Sequence, residues 1–338
     1  MAKSEFFYLK GSGGMQACDS AEEALAKTVE GGFVWLSYIQ PSIEELKILT
    51  EELKIHPLSI KDCFDDKQIP KVDNFPDYTH VLFNSFDYTN NELKVEEVNL
   101  FLGEKFIVSV GQQPSEKHHL MNQLRPIIEM EMDKVSEGPS YVMHEILDNI
   151  VDQKLEAIEA IEDDLIAAED IMLENSTEFD VGSLQRIRRV LLVLRKSLIS
   201  EREILVKICR KDSRFIPDAA IYHYSDIYDH LNKFVELTES NRETLTSLIQ
   251  MNLTLLNNQM SRASNQTNKF VRRLTFITTI FMPLTLLTGI GGMSEYTMAT
   301  GSSNWRAAYL ILLAVMLLIG ILNYYGLKWL GRNDEKPD

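Results

Sequence analysis

Two apolar runs near the end of the chain constrain its fold more than any other feature. Residues 274–290 and 307–327, 17 and 21 long, carry no charged side chain, and a short, mostly polar stretch, residues 291–304, separates them. At about 1.5 Å per residue each run, with help from its flanks, crosses a hydrocarbon core of about 30 Å as a helix. The expected outcome is a two-span hairpin in a membrane. Charged residues still make up 25% of the chain, so what precedes the hairpin must be water-loving.

Charge narrows the partners of that soluble part. Fifty Asp and Glu against 34 Lys and Arg leave a formal net charge of −16, which excludes nucleic acid as the expected partner and favours the attraction of cations. Cys18, Cys63 and Cys209 stand far apart, with no CxxC spacing that would suggest zinc or a redox pair. Nothing at the start of the chain reads as a cleaved signal, so targeting is assigned to the terminal spans. Lys269, Arg272 and Arg273 precede the first run and Lys328 and Arg332 follow the second, against Arg306 alone beside the connecting loop. The positive-inside rule then places both termini in the cytoplasm of a multi-pass protein of the cell's inner (plasma) membrane, with Trp305, Tyr324, Tyr325 and Trp329 at the interfaces.

Periodicity divides the chain further. Residues 33–39, 79–86, 96–102 and 105–110 have the β-branched and aromatic content of strands. Ser42 followed by Glu45 makes a capping-box pattern that predicts a helix over 42–53. Residues 140–175 and 181–211 show apolar spacings of three and four, predicting two long antiparallel helices. Between Pro217 and Pro283 lie 65 residues with neither Gly nor Pro, which predicts one helix running straight into the first span, with a break over 257–268 as the alternative. Helices of that length pack against copies of themselves. The fold class is α+β with long helices, followed by two C-terminal transmembrane helices. The boundaries are an N-terminal cytoplasmic α/β domain over 1–138, a helical region with the start of the stalk over 139–268, transmembrane helices over 269–291 and 306–328, an external loop over 292–305 and a cytoplasmic tail over 329–338.

Along the first span a stripe at spacings of three and four reads Asn268, Val271, Thr275, Thr278, Met282, Thr285 and Gly289, small or polar where the rest is Leu, Ile and Phe. Two readings stand. Hydroxyls and small residues prefer the interior of a bundle, so the stripe suits the wall of an ion path; it also suits plain helix packing, because Thr satisfies itself on its own backbone. No carboxylate lies within either span, which disfavours a proton-coupled carrier.

Residues 264–275 (SNQTNKFVRRLT), 279–285 (TIFMPLT) and 289–294 (GIGGMS) resemble the first transmembrane helix and signature loop of the CorA-type magnesium transporters. His56-Pro57-Leu58 with Asp62, Pro70-Lys71-Val72 and residues 226–230 (DIYDH) are similar to landmarks of that family's soluble part. The resemblance implies a homopentamer with a funnel-shaped cytoplasmic domain, a stalk helix lining the pore and the second span forming an outer ring. It assigns the pore to Asn268, Val271, Leu274, Met282, Thr285 and Gly289, with Thr278 added by the stripe and Met282 in an apolar constriction. It also implies Mg²⁺ as transported and regulatory ion, the latter held between subunits by Asp62 and Asp226.

At the mouth this chain departs from the pattern of the family it resembles. The signature Gly-Met-Asn is here Gly292-Met293-Ser294, Gly291 replaces the usual aromatic, and Glu295 supplies nearby acidic attraction. A Ser ring is wider and offers hydroxyls where long amides suit a hydrated Mg²⁺. The ion is thereby left open among Mg²⁺, Co²⁺, Ni²⁺ and Zn²⁺, as in the ZntB-like branch, and a non-transporting scaffold or sensor is the alternative. Lys61 replaces an acidic neighbour of Asp62, which weakens a second regulatory ion. Glu162, Asp163 and Asp164 read as a solvated face, and Arg186, Arg188, Arg189, Arg195 and Lys196 as ion-pair partners of the acidic partner helix, with anionic lipid headgroups as the alternative. Gly11 to Gly14 lacks the context of a phosphate loop, and His118-His119 and His144-Glu145 lack zinc spacing. No nucleophile, base and orienting residue assemble into an enzyme site.

Overall fold

The computed structural model describes residues 4–10, 14–65, 68–111, 120–135, 137–174, 179–292 and 305–333. The chain divides into two compact units, Met1–Asn252 and Leu253–Asp338. In the first, strands β1 (Glu5–Lys10), β2 (Gly14–Cys18), β3 (Phe33–Ile39), β4 (Lys71–Asn74), β5 (Thr79–Thr89), β6 (Glu92–Leu102) and β7 (Phe106–Gly111) form one sheet of order β2-β1-β3-β7-β6-β5-β4. Only β3 and β7 pair in parallel. The others are antiparallel neighbours. Thr79 to Phe86 is buried without alternation, because helices cover both faces of the sheet there. β5 and β6 run past the apolar stretches expected from sequence and close in a two-residue turn, where Asn90 and Asn91 adopt φ of 53° and 62°. Positive φ at both centres is what a primed hairpin turn demands, and Asn tolerates it.

Short helices α1 (Ala21–Lys27), α2 (Lys47–Glu51) and α3 (Pro57–Asp62) cover one face. They enclose a core of Val34, Leu36, Leu49, Ile60, Phe101 and Val108. The capping box forms as expected: Glu45 Oε2 accepts from the Ser42 backbone N–H at 2.7 Å, and Ser42 Oγ accepts from that of Glu45 at 3.3 Å. Regular α-helix nevertheless spans only Lys47–Glu51, the first turn being irregular. His56 caps α3, its Nδ1 accepting the Leu58 N–H at 3.1 Å. Gly14, the last of the glycine run, opens β2 and is paired to Lys10 of β1, which is not a phosphate-loop setting.

Helices α4 (Leu120–Met130) and α5 (Met132–Val135) lead to α6 (Pro139–Glu174), which lies against β3, β5, β6 and β7. α7 (Val181–Cys209) completes the helical hairpin, its first turn capped by Asp180. At the heart of the packing Lys154 Nζ sits 3.1 Å from Glu201 Oε1, both side chains wholly buried. Glu201 Oε1 also accepts from the Asn84 N–H at 3.0 Å and from Ser197 Oγ at 3.2 Å. Lys154 lies 5.1 Å from the centre of the Phe83 ring. Burial pulls the Lys154 pKa below its ordinary value, and Glu201 opposes that shift. Glu162 and Asp163 are exposed as expected, while Asp164 accepts a hydrogen bond from Tyr88 Oη.

The basic face of α7 corrects an expectation. Arg195 pairs with Glu239 at 3.1 Å, on the helix that follows, and Arg186 with its own capping Asp180 at 3.0 Å; neither meets the acidic helix before them. α6 turns inward the stripe that includes Val151, Lys154, Ile158 and Ile161, and Asp152, Glu156, Glu159, Glu162 and Asp163 are exposed on its other side.

α8 (Ile221–Gly291) runs 71 residues through both units, continuous across 257–268 where a break was the alternative. In the first unit it packs on α6: Tyr224 Oη donates to the Ser140 carbonyl at 2.7 Å, and Tyr224 and Ile227 are wholly buried. The second unit holds the rest of α8, with Pro283 inside it, and α9 (Trp305–Asn333). Gly291 is buried there: a Cβ on it would stand 2.5 Å from Leu312 Cδ2, and its carbonyl accepts from Tyr309 Oη at 3.2 Å. Close approach of α9 thus favours a glycine at this position.

Candidate functional site

Within the second unit the covered face of α8 runs through Phe276, Ile280, Pro283, Leu284, Leu287 and Gly291. At about 100° per residue, the centre of the small and polar stripe falls on the opposite side of the helix. Asn268, Val271, Thr275, Thr278, Met282, Thr285 and Gly289 are all exposed in the single chain, as is Leu274; Met282 is 75% exposed. The stripe is therefore not what packs α8 on α9.

The hydroxyls of the stripe are oriented. Thr275 Oγ1 donates to the Val271 carbonyl at 2.9 Å, Thr278 to that of Leu274 at 2.9 Å and Thr285 to that of Phe281 at 2.8 Å. Each donor is thereby committed to the helix, while the oxygen keeps lone pairs free to accept. Copies of such a face arranged around an axis would present acceptor oxygens to a cation. The helix ends at Gly291, Gly292 follows it in a turn, and Met293, Ser294 and Glu295 lie outside the described residues.

The second set of residues lies in the first unit. Asp62 is the last residue of α3, and its Oδ2 accepts from Lys71 Nζ at 2.6 Å; the same ammonium lies 3.5 Å from Asp73. Burial works against the charge of Lys71, but Asp62 and Asp73 outweigh it and its pKa is raised. The Asp62 carbonyl accepts from Gln68 Nε2 at 2.9 Å. Next to it, burial and then Asp62 push the Cys63 thiol up to about 12, so no thiolate ligand is on offer at neutral pH. Asp226 is exposed on α8, and Lys61 is exposed on α3.

Within one chain Asp62 and Asp226 are not assembled into a metal centre. Among the described residues no group of three or more His, Cys, Asp or Glu side chains is placed to hold a metal ion. Sequence reasoning quoted Lys71 as a landmark but missed its role, and missed the Lys154–Glu201 pair entirely. A lysine on the apolar stripe between Val151 and Ile158 was the available signal.

A seven-stranded mixed sheet, a helical hairpin and a long helix that continues into the first of two membrane-length apolar helices define a class: soluble α+β domains carried on a two-span anchor. The model of the family described as CorA-like Mg²⁺ transporter protein matches residues 30–328, and the chain belongs to that family. It is 30% identical over 295 residues to the putative metal ion transporter YfjQ of Bacillus subtilis, covering 86% of this chain and 88% of that one. With the cobalt/magnesium transport protein CorA of Thermotoga maritima it shares 29% identity over 271 residues, 79% of this chain and 74% of the other. The fold matches the complete structure of the CorA magnesium transporter from Methanocaldococcus jannaschii, with a TM-score of 0.69 at 21% identity over 96% of this chain and 97% of that one.

Proposed function

We propose that the chain forms a divalent-cation channel of the inner (plasma) membrane, with Mg²⁺ as its principal ion, assembled as a homopentamer with both termini in the cytoplasm. The observation that carries this reading is the stripe of α8, whose small and hydroxyl-bearing residues lie away from α9 and whose threonine donors are tied to their own helix. Family membership supports the ring that such a face needs.

In this reading Asn268, Val271, Leu274, Thr278, Met282, Thr285 and Gly289 line the path from cytoplasm to mouth. Threonine oxygens and the Asn268 amide replace outer waters of a hydrated ion, which suits Mg²⁺ because it surrenders its inner shell reluctantly. Met282 supplies an apolar constriction, where dewetting stops conduction. Gly292, Met293, Ser294 and Glu295 form the mouth, Glu295 raising the local concentration of cations.

Gating follows from charge. Mg²⁺ held between Asp62 of one subunit and Asp226 of the next neutralises two carboxylates and favours the closed ring; when internal Mg²⁺ is low, their repulsion loosens it. The deciding experiment is divalent-ion uptake into liposomes carrying the purified protein with little Mg²⁺ inside. Uptake that declines as internal Mg²⁺ is raised is expected, and absence of uptake for every divalent ion would falsify the proposal in favour of a scaffold or sensor.

Ser294 favours a second reading of the same channel, as a Zn²⁺ carrier of the ZntB-like kind, because a shorter, wider ring grips a hydrated Mg²⁺ less well. Zn²⁺ uptake exceeding Mg²⁺ uptake in that assay would select it.

A further inference from the structure

We propose that the cleft between α1 and α2, whose lining includes no residue of the span and neither gating carboxylate, binds a linear polyamine. Six carboxylates, Asp19, Glu22, Glu44, Glu45, Glu51 and Glu52, line this cavity of about 810 Å³ against one cation, Lys47. Such a rim alone would be an ordinary solvated face. Its floor is not ordinary: Tyr38, on β3, is only 3% exposed, lines the cleft and leaves its hydroxyl without a hydrogen-bond partner. An unmet hydroxyl in such a place is destabilising unless something satisfies it.

What would satisfy it follows from its surroundings. Burial, then the charges of Glu22 and Glu45, raise the pKa of the phenol, so it stays neutral and has a lone pair to offer. The groups acting on it are acidic, so the complementary donor is a cation bearing N–H. Phe6 meets the Tyr38 ring edge to face at 5.2 Å, giving an aromatic wall beside that position.

The rest of the cleft selects the kind of cation. Its carboxylates are spread over two helices and the residues flanking them, and no three of them converge to hold a metal ion. Between them lie Leu25, Ile48 and Val29, the last 88% exposed to water. Ammonium groups separated by methylene runs match this alternation of charge and apolar surface, and the volume is that of a small-molecule site. A compact hydrated divalent ion would leave the apolar surface wet and could not donate through N–H.

The test is calorimetric titration of spermine into the full chain in detergent, at fixed ionic strength, with Tyr38→Phe and the double variant Glu22→Gln/Glu44→Gln run in parallel. Saturable binding is expected, weakened about tenfold by Tyr38→Phe, the loss of one hydrogen bond to a charged group, and by a similar factor in the double variant. Both altered glutamates are exposed, so the double variant reports even if the tyrosine change disturbs the sheet. Three results would overturn the proposal: no saturable binding, an affinity unchanged in both variants, or displacement of spermine by MgCl2 at equal charge concentration, which would mean diffuse cation attraction only.

Discussion

Lys71 Nζ stands 2.6 Å from Asp62 Oδ2, so the carboxylate proposed as half of the gating site already carries a counter-ion from its own chain. A bound Mg²⁺ must share Asp62 with that ammonium or displace it, and either lowers the affinity of the site. In the proposed gate Lys71, the first residue of β4, would thereby help set the internal Mg²⁺ concentration at which the channel closes.

Lys71→Met should sharpen inhibition by internal Mg²⁺. Removing a unit charge beside the ligand is worth about one pKa unit, so half-inhibition should fall roughly tenfold in the liposome assay. Because about a third of each side chain is open to water, which screens the pair, its loss should alter stability by less than about 1 kcal/mol. Unaltered or weaker inhibition would show that Asp62 does not hold the gating ion.

Asp226→Lys should abolish inhibition altogether, since an ammonium repels the ion and bridges to Asp62 of the neighbour in its place. Uptake measured across a range of internal Mg²⁺ should then be flat. A normal inhibition curve removes Asp226 from the gate.

Thr285→Val deletes a hydroxyl on the stripe with little change of shape, and Thr279→Val does the same off it. Conductance of the first should drop several-fold while the second conducts as the unaltered protein does, because only the first takes an acceptor from the path. Equal effects would mean that the stripe packs helices and does not face ions.

Glu201→Leu leaves Lys154 buried without its partner and should lower stability by about 3–5 kcal/mol, read as a fall in the apparent midpoint of thermal unfolding. Adding Lys154→Met should recover most of the loss. A double variant no better than the single would mean that Asn84 and Ser197, not the ion pair, are what Glu201 serves.

Asp148 offers a pH test outside the membrane. Burial, helped by Asp152 and Glu145 and opposed by His144 and His230, raises its pKa. A carboxyl with a raised folded pKa contributes stability that is present at low pH and lost as pH rises through that value. Asp148→Asn should therefore stabilise the protein at about pH 7 relative to its effect at about pH 4; no difference between the two would contradict the raised value.

How much of this was legible depended on whether the signal was local. β3 was legible to the residue because its apolar run is bracketed by Gly32 and Gln40, both at positive φ. The length of α8 was legible because nothing in 65 residues could stop it. β1 and β2 were not, since a strand of six residues identifies itself only through its neighbours. Lys71 was out of reach for the same reason: nine positions separate it from Asp62, and only the fold of the intervening loop brings them together. The stripe on α8 was legible as chemistry, but its position opposite α9 depended on which face the second span would take.

Pro283 has no N–H, so the Thr279 carbonyl lacks one rung of the ladder that stiffens the rest of α8. A helix bends most cheaply where its backbone bonding is interrupted. Flexing at this joint would swing Thr285 and Gly289 while Asn268 and Val271 stay in place. In the proposed channel the outer and inner ends of the path therefore need not widen together, and compliance nearly two turns before Gly289 sets the outer end of α8 apart from the stalk below it.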